Sequence, residues 1–208
     1  MSVTDDKQYK KYAPDSYYHI YSRGVNKEPI FKSEKDYDVF CSLFKRYLSS
    51  EREKNSVRCY YPNYSDQIEL LAYALMPNHF HILIYQGEEE RSIEQFMRSL
   101  VTSYSKYFNK EHGRVGPVFQ SRYLAKLIIS DSHLLHISRY IHLNPEEWRN
   151  SLETSIDYYL DRRKADWIKP DKITGLFSNL KEYEEFLEEY DPDSDENYLE
   201  FKDIEPYD

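Results

Sequence analysis

Residues Ala74 to Tyr85 form an apolar, β-type run that holds two imidazoles, His79 and His81, two places apart. Side chains alternate across a strand, so both rings must share one face, roughly 6–7 Å apart along it and within reach of a single divalent ion. Any fold this chain adopts has to give that face a use. His-x-His pairs also arise at strand ends with no function, so the spacing alone leaves metal binding and a plain structural role both open.

The flanking sequence switches between a period of two and a period of 3.6. Tyr17 to Ser22 reads as a first strand, closed by the turn residues Arg23-Gly24-Val25-Asn26. Tyr37, Phe40, Cys41, Phe44, Tyr47 and Leu48 recur at helical spacing behind Ser33, a fair N-cap. Arg58 to Tyr61 and Ile68 to Met76 are extended candidates around the turn Pro62-Asn63-Tyr64-Ser65-Asp66, and the histidine strand comes next. A second helix is predicted over Ser92 to Asn109 and ends at His112-Gly113; Pro117 to Ile129 then reads as extended. A third helix is predicted from about Asp131 to Leu143. This order predicts an α+β domain of ferredoxin-like type, a largely antiparallel sheet with helices on one face.

The third helix has two chemically different stripes. Leu134, Ile137 and Ile141, with Leu135 beside them, are apolar, whereas His133, His136, Tyr140 and Asn144 line up at spacings of three and four. Pro145 disfavours helical geometry at Asn144, which leaves that residue as a terminal one. With 22 tyrosines in the chain, packing is the default role for any one of them.

Charge narrows the partner class once it is located. The net charge of −9 argues against nucleic acid, yet residues 1–150 carry 21 Lys and Arg against 19 Asp and Glu, a net +2, and residues 151–208 carry 7 against 18, a net −11. From Arg98 to Arg139 the bases Arg98, Lys106, Lys110, Arg114, Arg122, Lys126 and Arg139 meet only Glu111 and Asp131, a stretch suited to phosphate. The segment 191–208 is acidic enough to be read as a solvated tail, or else as a phosphate mimic laid over the basic groove. Cys41 and Cys59 are the only cysteines, no stretch is long and apolar enough to span a membrane, and Met1 to Lys7 lacks a signal pattern. A cytoplasmic, reduced protein is expected.

Four segments taken together resemble a known family. Tyr18-His19-Ile20-Tyr21-Ser22-Arg23-Gly24, Met76-Pro77-Asn78-His79-Phe80-His81, Gly113 to Tyr123, and Ser138-Arg139-Tyr140-Ile141-His142-Leu143-Asn144-Pro145 are similar, in order and spacing, to those of REP-associated tyrosine transposases, single-tyrosine members of the HUH superfamily. A weaker similarity continues through Trp167-Ile168 and Gly175-Leu176-Phe177 towards Tyr183 and Phe186. The division implied is a transposase domain over 1–150, a C-terminal helical extension over 151–190 packed on it, and the acidic tail 191–208.

The resemblance implies that His79, His81 and the Asn144 amide oxygen hold Mg²⁺ or Mn²⁺. It also implies that Tyr140 attacks a DNA phosphate to give a 5′-phosphotyrosine link, which later religation reverses. His136 and His133 are candidates for proton transfer or for lining the site. Single-stranded or hairpin DNA carrying a REP-type palindrome is the implied substrate, with Arg23, Arg98, Lys106, Lys110, Arg114, Arg122 and Lys126 as phosphate contacts. The rival readings are a non-cleaving DNA-binding protein of the same fold and a metal-dependent phosphodiester hydrolase. Family members work as monomers or homodimers, and a bacterial, nucleoid-associated location is implied.

Overall fold

A computed structural model describes residues 12–145, 148–150 and 153–190. Four strands, β1 (Ser16–Arg23), β2 (Ile68–Met76), β3 (His79–Gln86) and β4 (Leu124–Ile128), form one sheet in the order β2-β3-β1-β4, and every neighbouring pair is antiparallel. The helices α1 (Glu34–Leu48) and α2 (Ser92–Glu111) connect β1 to β2 and β3 to β4, which is the ferredoxin-like α+β arrangement. The helix α3 (Asp131–Leu143) follows β4, and the short α4 (Ile156–Tyr159), α5 (Asp171–Thr174) and α6 (Leu180–Glu188) complete the described chain.

The strand period of two splits the apolar residues into two cores. Tyr18, Ile20, Phe80, Ile82 and Ile84 face α1 and α2, where they meet Phe40, Phe44, Phe96, Leu100 and Tyr104. A register shift between Leu70 and Ala72 inserts one residue into β2, so Ile68 and Leu70 before it share a face with Tyr73 and Leu75 after it. The other face carries Leu71, Ala72, Ala74 and Leu83, covered by Leu134, Ile137 and Ile141 of α3 and by Ile156, Tyr159, Ile173, Tyr183 and Leu187. Each fully buried Leu, Ile or Phe in these layers contributes about 1.5–3 kcal/mol.

The helices therefore lie on both faces, not on one as the sequence pattern suggested. The ferredoxin-like pair α1 and α2 does share a face, but β2 and β3 are apolar on both sides, and one helical layer would leave Leu71, Ala74 and Leu83 in water. Two other expectations are corrected. Arg58 to Tyr61 makes only an isolated bridge, Lys54 with Tyr60, because its pairing with residues 53–55 ends after the Asn55–Cys59 and Tyr61–Glu53 backbone bonds, and Val57 and Tyr60 are exposed. Of Pro117 to Ile129 only β4 joins the sheet; Val118 and Phe119 are buried by side-chain packing, with a single bridge from Phe119 to Gly24.

Local signals set the helix ends. Asp36 Oδ2 accepts hydrogen bonds from the backbone N–H groups of Lys32 and Ser33 at 2.8 and 3.0 Å and so satisfies two donors at the start of α1. The α2 helix runs to Glu111, and beyond its cap His112 comes Gly113 with φ +60°, a left-handed turn that glycine adopts without strain. Ser130 caps α3 by accepting from the His133 N–H. Asn144 keeps helical dihedrals (φ −57°, ψ −42°) despite Pro145, so it remains in line with the helix face one turn above. The acidic segment 191–208 lies outside the described residues. No helix among the described residues is long and apolar enough to cross a membrane.

Candidate active site

Alternation sends Tyr17, His19, Tyr21 and Arg23 of β1, together with His79, His81, Leu83 and Tyr85 of β3, to the α3 side of the sheet. Register then pairs Arg23 with His79 and Tyr21 with His81, while His19 lies one diagonal step away opposite Leu83. His19 Nε2 and His81 Nδ1 are 3.0 Å apart, and both rings are fully buried. The His79 and His81 ring centres are 5.0 Å apart with planes at 88°, so the two imidazoles lie together on one face as the sequence spacing predicted.

Tyr140 comes down onto this group from α3. Its ring centre is 5.3 Å from that of His81 and 6.2 Å from that of His19, and the side chain is only 8% exposed. The apolar stripe of α3, Leu134, Ile137 and Ile141, docks on the sheet and thereby fixes which way Tyr140 faces. Asn144 stands one turn on, half-buried at the helix end. His133 is close enough to His19 for its charge to act on that ring. His136 is turned to other work: its Nδ1 accepts from Arg139 at 2.9 Å, and its ring lies against Phe186 of α6.

The electrostatics favour neutral rings. Burial, helped by the charges of Lys126 and His133, pushes His19 down to about 3. Burial and then Arg23 push His79 down to about 4, and burial with the two neighbouring imidazoles holds His81 well below the ordinary range. All three imidazoles therefore offer lone pairs at neutral pH, as metal ligation requires. His81 Nε2 and His19 Nδ1 are buried and make no hydrogen bond among the described residues. An orphaned nitrogen of this type is costly unless something else satisfies it, and the one on His81 fits the donor set expected for a metal. Among the described residues no group of three or more His, Cys, Asp or Glu is placed to hold a metal ion.

The basic residues separate into two groups. Arg23 belongs to the histidine face: its Nε donates to Gln120 Oε1 at 3.3 Å, and its buried Nη1 makes no hydrogen bond among the described residues. Lys126, opposite His19 on β4, is on the same side. Arg98, Lys106 and Lys110 are on the exposed surface of α2, across the sheet. Arg98 and Arg122 line a cleft of about 280 Å³ with Glu94 and Tyr123. Arg114 is paired with Glu28 at 3.1 Å, and Arg139 is buried against the rings of Phe186 and Tyr190. The linear basic stretch is thus not one continuous surface.

Sequence reading assigned no role to His19. Its signal was present, a polar ring between Tyr17 and Tyr21 on one face of an aromatic strand, but its meaning depends on β1 pairing with β3. A second omission is His142, fully buried, whose Nδ1 lies 2.7 Å from Tyr183 Oη and whose Nε2 lies 2.7 Å from Ser155 Oγ. This network ties the tyrosine helix to the C-terminal segment.

With this geometry in view, the comparison with family models decides the assignment: the model for IS200-like transposases matches residues 13–144, more than half of the chain. The chain belongs to the IS200-like transposase family. The matched span starts just before β1 and stops at Asn144, so it takes in the histidine pair and Tyr140. Among solved structures, the chain is similar to a REP-associated tyrosine transposase bound to a REP hairpin, at 16% identity and TM-score 0.51, over 81% of this chain and 92% of that one. This likeness bears on the fold. A protein assigned as a transposase from Deinococcus radiodurans R1 also matches, at 16% identity and TM-score 0.40, over 65% of this chain and 95% of that one. No curated protein matches.

Proposed function

We propose that this transposase cleaves and rejoins single-stranded or hairpin DNA with Tyr140 as its nucleophile. The observation that carries the reading is the Tyr140 ring held 5.3 Å from that of His81, on the face that His79 and His81 share. Tyr140 Oη attacks the scissile phosphorus, a P–O bond to tyrosine forms, and the bond to the 3′ oxygen breaks. The products are a 5′-phosphotyrosine and a 3′-hydroxyl, and the reverse attack rejoins DNA without ATP because the link conserves the phosphodiester energy. The phenol must lose its proton; of the three imidazoles on its helix, His136 accepts from Arg139 and His142 is bonded at both nitrogens, which leaves His133, two turns before it and near His19, as the proposed acceptor.

His79 and His81, with the Asn144 amide oxygen, would hold Mg²⁺ or Mn²⁺. Two imidazoles favour Mn²⁺ at least as much as Mg²⁺. When bound, the ion supplies Lewis-acid polarisation of the phosphate. Arg23, beside His79, holds the same phosphate through its guanidinium, and Lys126 steers the strand across the β4 edge. A REP-type palindrome is the proposed substrate; the relative bound to a REP hairpin supports this choice. Tyr140 faces histidines of its own chain, which supports a site completed within a monomer.

The test is covalent trapping. Incubation with a labelled hairpin oligonucleotide and Mn²⁺ should yield a protein–DNA adduct that survives denaturation. Cleavage without an adduct would mark a hydrolase, and binding without cleavage a DNA-binding protein; either result would displace this reading.

A further inference from the structure

His79 and His81 are each engaged through the same ring atom. His79 Nδ1 lies 2.7 Å from Asn78 Oδ1, and His81 Nδ1 lies 3.0 Å from His19 Nε2. The Asn78 amide is oriented by its other end, where Nδ2 donates to the Lys27 carbonyl at 3.4 Å, so the atom facing His79 is an oxygen, which can only accept. His79 therefore carries its proton on Nδ1, and its Nε2 bears the lone pair. A single proton sits between His81 and His19. With His81 Nδ1–H donating to His19 Nε2, His19 carries its own proton on Nδ1 and His81 is in the same tautomer as His79, so the buried His81 Nε2, which makes no hydrogen bond among the described residues, also presents a lone pair.

We propose that Asn78 and His19 are matched positioning residues that hold His79 and His81 in the Nδ1-protonated tautomer, with both Nε2 lone pairs turned to a divalent cation. The second half rests on the reading of the two histidines as metal ligands. Outer partners of this type orient a ligating imidazole and raise its basicity, and their loss costs roughly 10–100-fold in metal affinity. The two acceptors come from different places, a hairpin turn and a neighbouring strand, yet each meets the ring atom that would otherwise compete with Nε2 for the metal-facing role.

The experiment reads tautomers before any metal or DNA is added. Long-range proton–nitrogen spectra of ¹⁵N-histidine-labelled, metal-free protein should show His79 and His81 protonated on Nδ1. Asn78→Ala should shift His79, and His19→Leu should shift His81, towards the Nε2-protonated form, with Mn²⁺ affinity by electron paramagnetic resonance falling about 10–100-fold. Asn78→Asp and His19→Gln keep an acceptor oxygen and should retain the tautomer and affinity within a few-fold, which a loss of packing alone would not explain. Wild-type protein with either ring protonated on Nε2, or Ala and Leu variants with unchanged tautomers and Mn²⁺ affinity, would overturn the proposal for the residue concerned. Wild-type protein with both tautomers as stated but no Mn²⁺ affinity would instead strike the metal reading and leave the positioning role standing.

Discussion

His81 and His142 are both fully buried on the α3 side of the sheet, and burial holds both below the ordinary imidazole range. They differ in what their nitrogens touch. His142 is bonded at Nδ1 by Tyr183 and at Nε2 by Ser155, whereas His81 is bonded at Nδ1 by His19 and, among the described residues, by nothing at Nε2. A buried polar group with every valence used behaves as a strut, and one left with a bare nitrogen is a liability that folding alone does not explain. His142 joins α3 to α6 and, through Ser155, to β2; His81 faces the tyrosine. The same side of the sheet thus has one imidazole bonded at both nitrogens and one whose Nε2 makes no hydrogen bond among the described residues.

The sharpest way to break this contrast is at the nucleophile. Tyr140→Phe removes one oxygen and little packing, so DNA binding should persist while adduct formation falls at least about 10³-fold in a denaturing gel. An adduct that survives the change would make another tyrosine the nucleophile and cancel the special status of the His81 side.

Stability should separate the two rings next. His142→Leu removes the ring partner of two core hydroxyls, leaving Ser155 Oγ with Tyr73 and Tyr183 Oη with Ser138, and should cost about 2–3 kcal/mol in urea unfolding. The double change His19→Leu with His81→Leu deletes both partners of one bond along with their orphaned nitrogens, and should alter stability by no more than about 1 kcal/mol while abolishing cleavage. Equal losses in the two variants would erase the distinction.

Acid should act on His142 and on His19, the partner of His81, together. Burial sets His142 at about 3 and His19 at about 3, while unfolded imidazoles titrate near 6.5. Between those values the unfolded chain binds more protons than the folded one, so stability rises with pH across the window and is lost as pH falls from about 6.5 towards 3. Each ring contributes up to ~1.4 kcal/mol per pH unit. His142→Leu should flatten the slope by one ring, which unfolding curves at successive pH values would show; an unchanged slope would mean that His142 is not held neutral.

The smallest effect expected is in the basic residues. Arg23→Gln, on the histidine face, should weaken hairpin binding about tenfold at low salt, and Arg98→Gln, on α2 across the sheet, less than about threefold. Equal losses measured by filter binding would mean that the DNA reaches both faces.

Much of the architecture was readable because its causes are local. Ile68 to Met76 and Asp131 to Leu143 emerge as β2 and α3 with the expected bounds, since periodicity, Ser130 and Pro145 act within a few residues of each other. Arg58 to Tyr61 failed for the opposite reason: aromatic composition favours a strand, but a strand needs a partner of some length, and the pairing with residues 53–55 is a single bridge. The same limit hid the second helical layer, because apolar residues on both sides of β2 and β3 do not say which helix covers which side.

At the site, the sequence by itself determined that His79 and His81 share a face and that Tyr140 stands on the polar stripe of α3, since strand and helix periods are properties of the backbone; that Asn144 stays in line with Tyr140 despite Pro145 was decided by the structure. The sequence also held the family motifs that linked that face to that stripe. Only the tertiary structure decided that β1 lies beside β3 and brings His19 to 3.0 Å from His81, that Arg23 joins this face while Arg98 does not, and that His142 is locked to a segment 41 residues further on. Those are contacts between elements distant in the chain, chosen by which apolar faces can be buried together, and no local pattern carries that information.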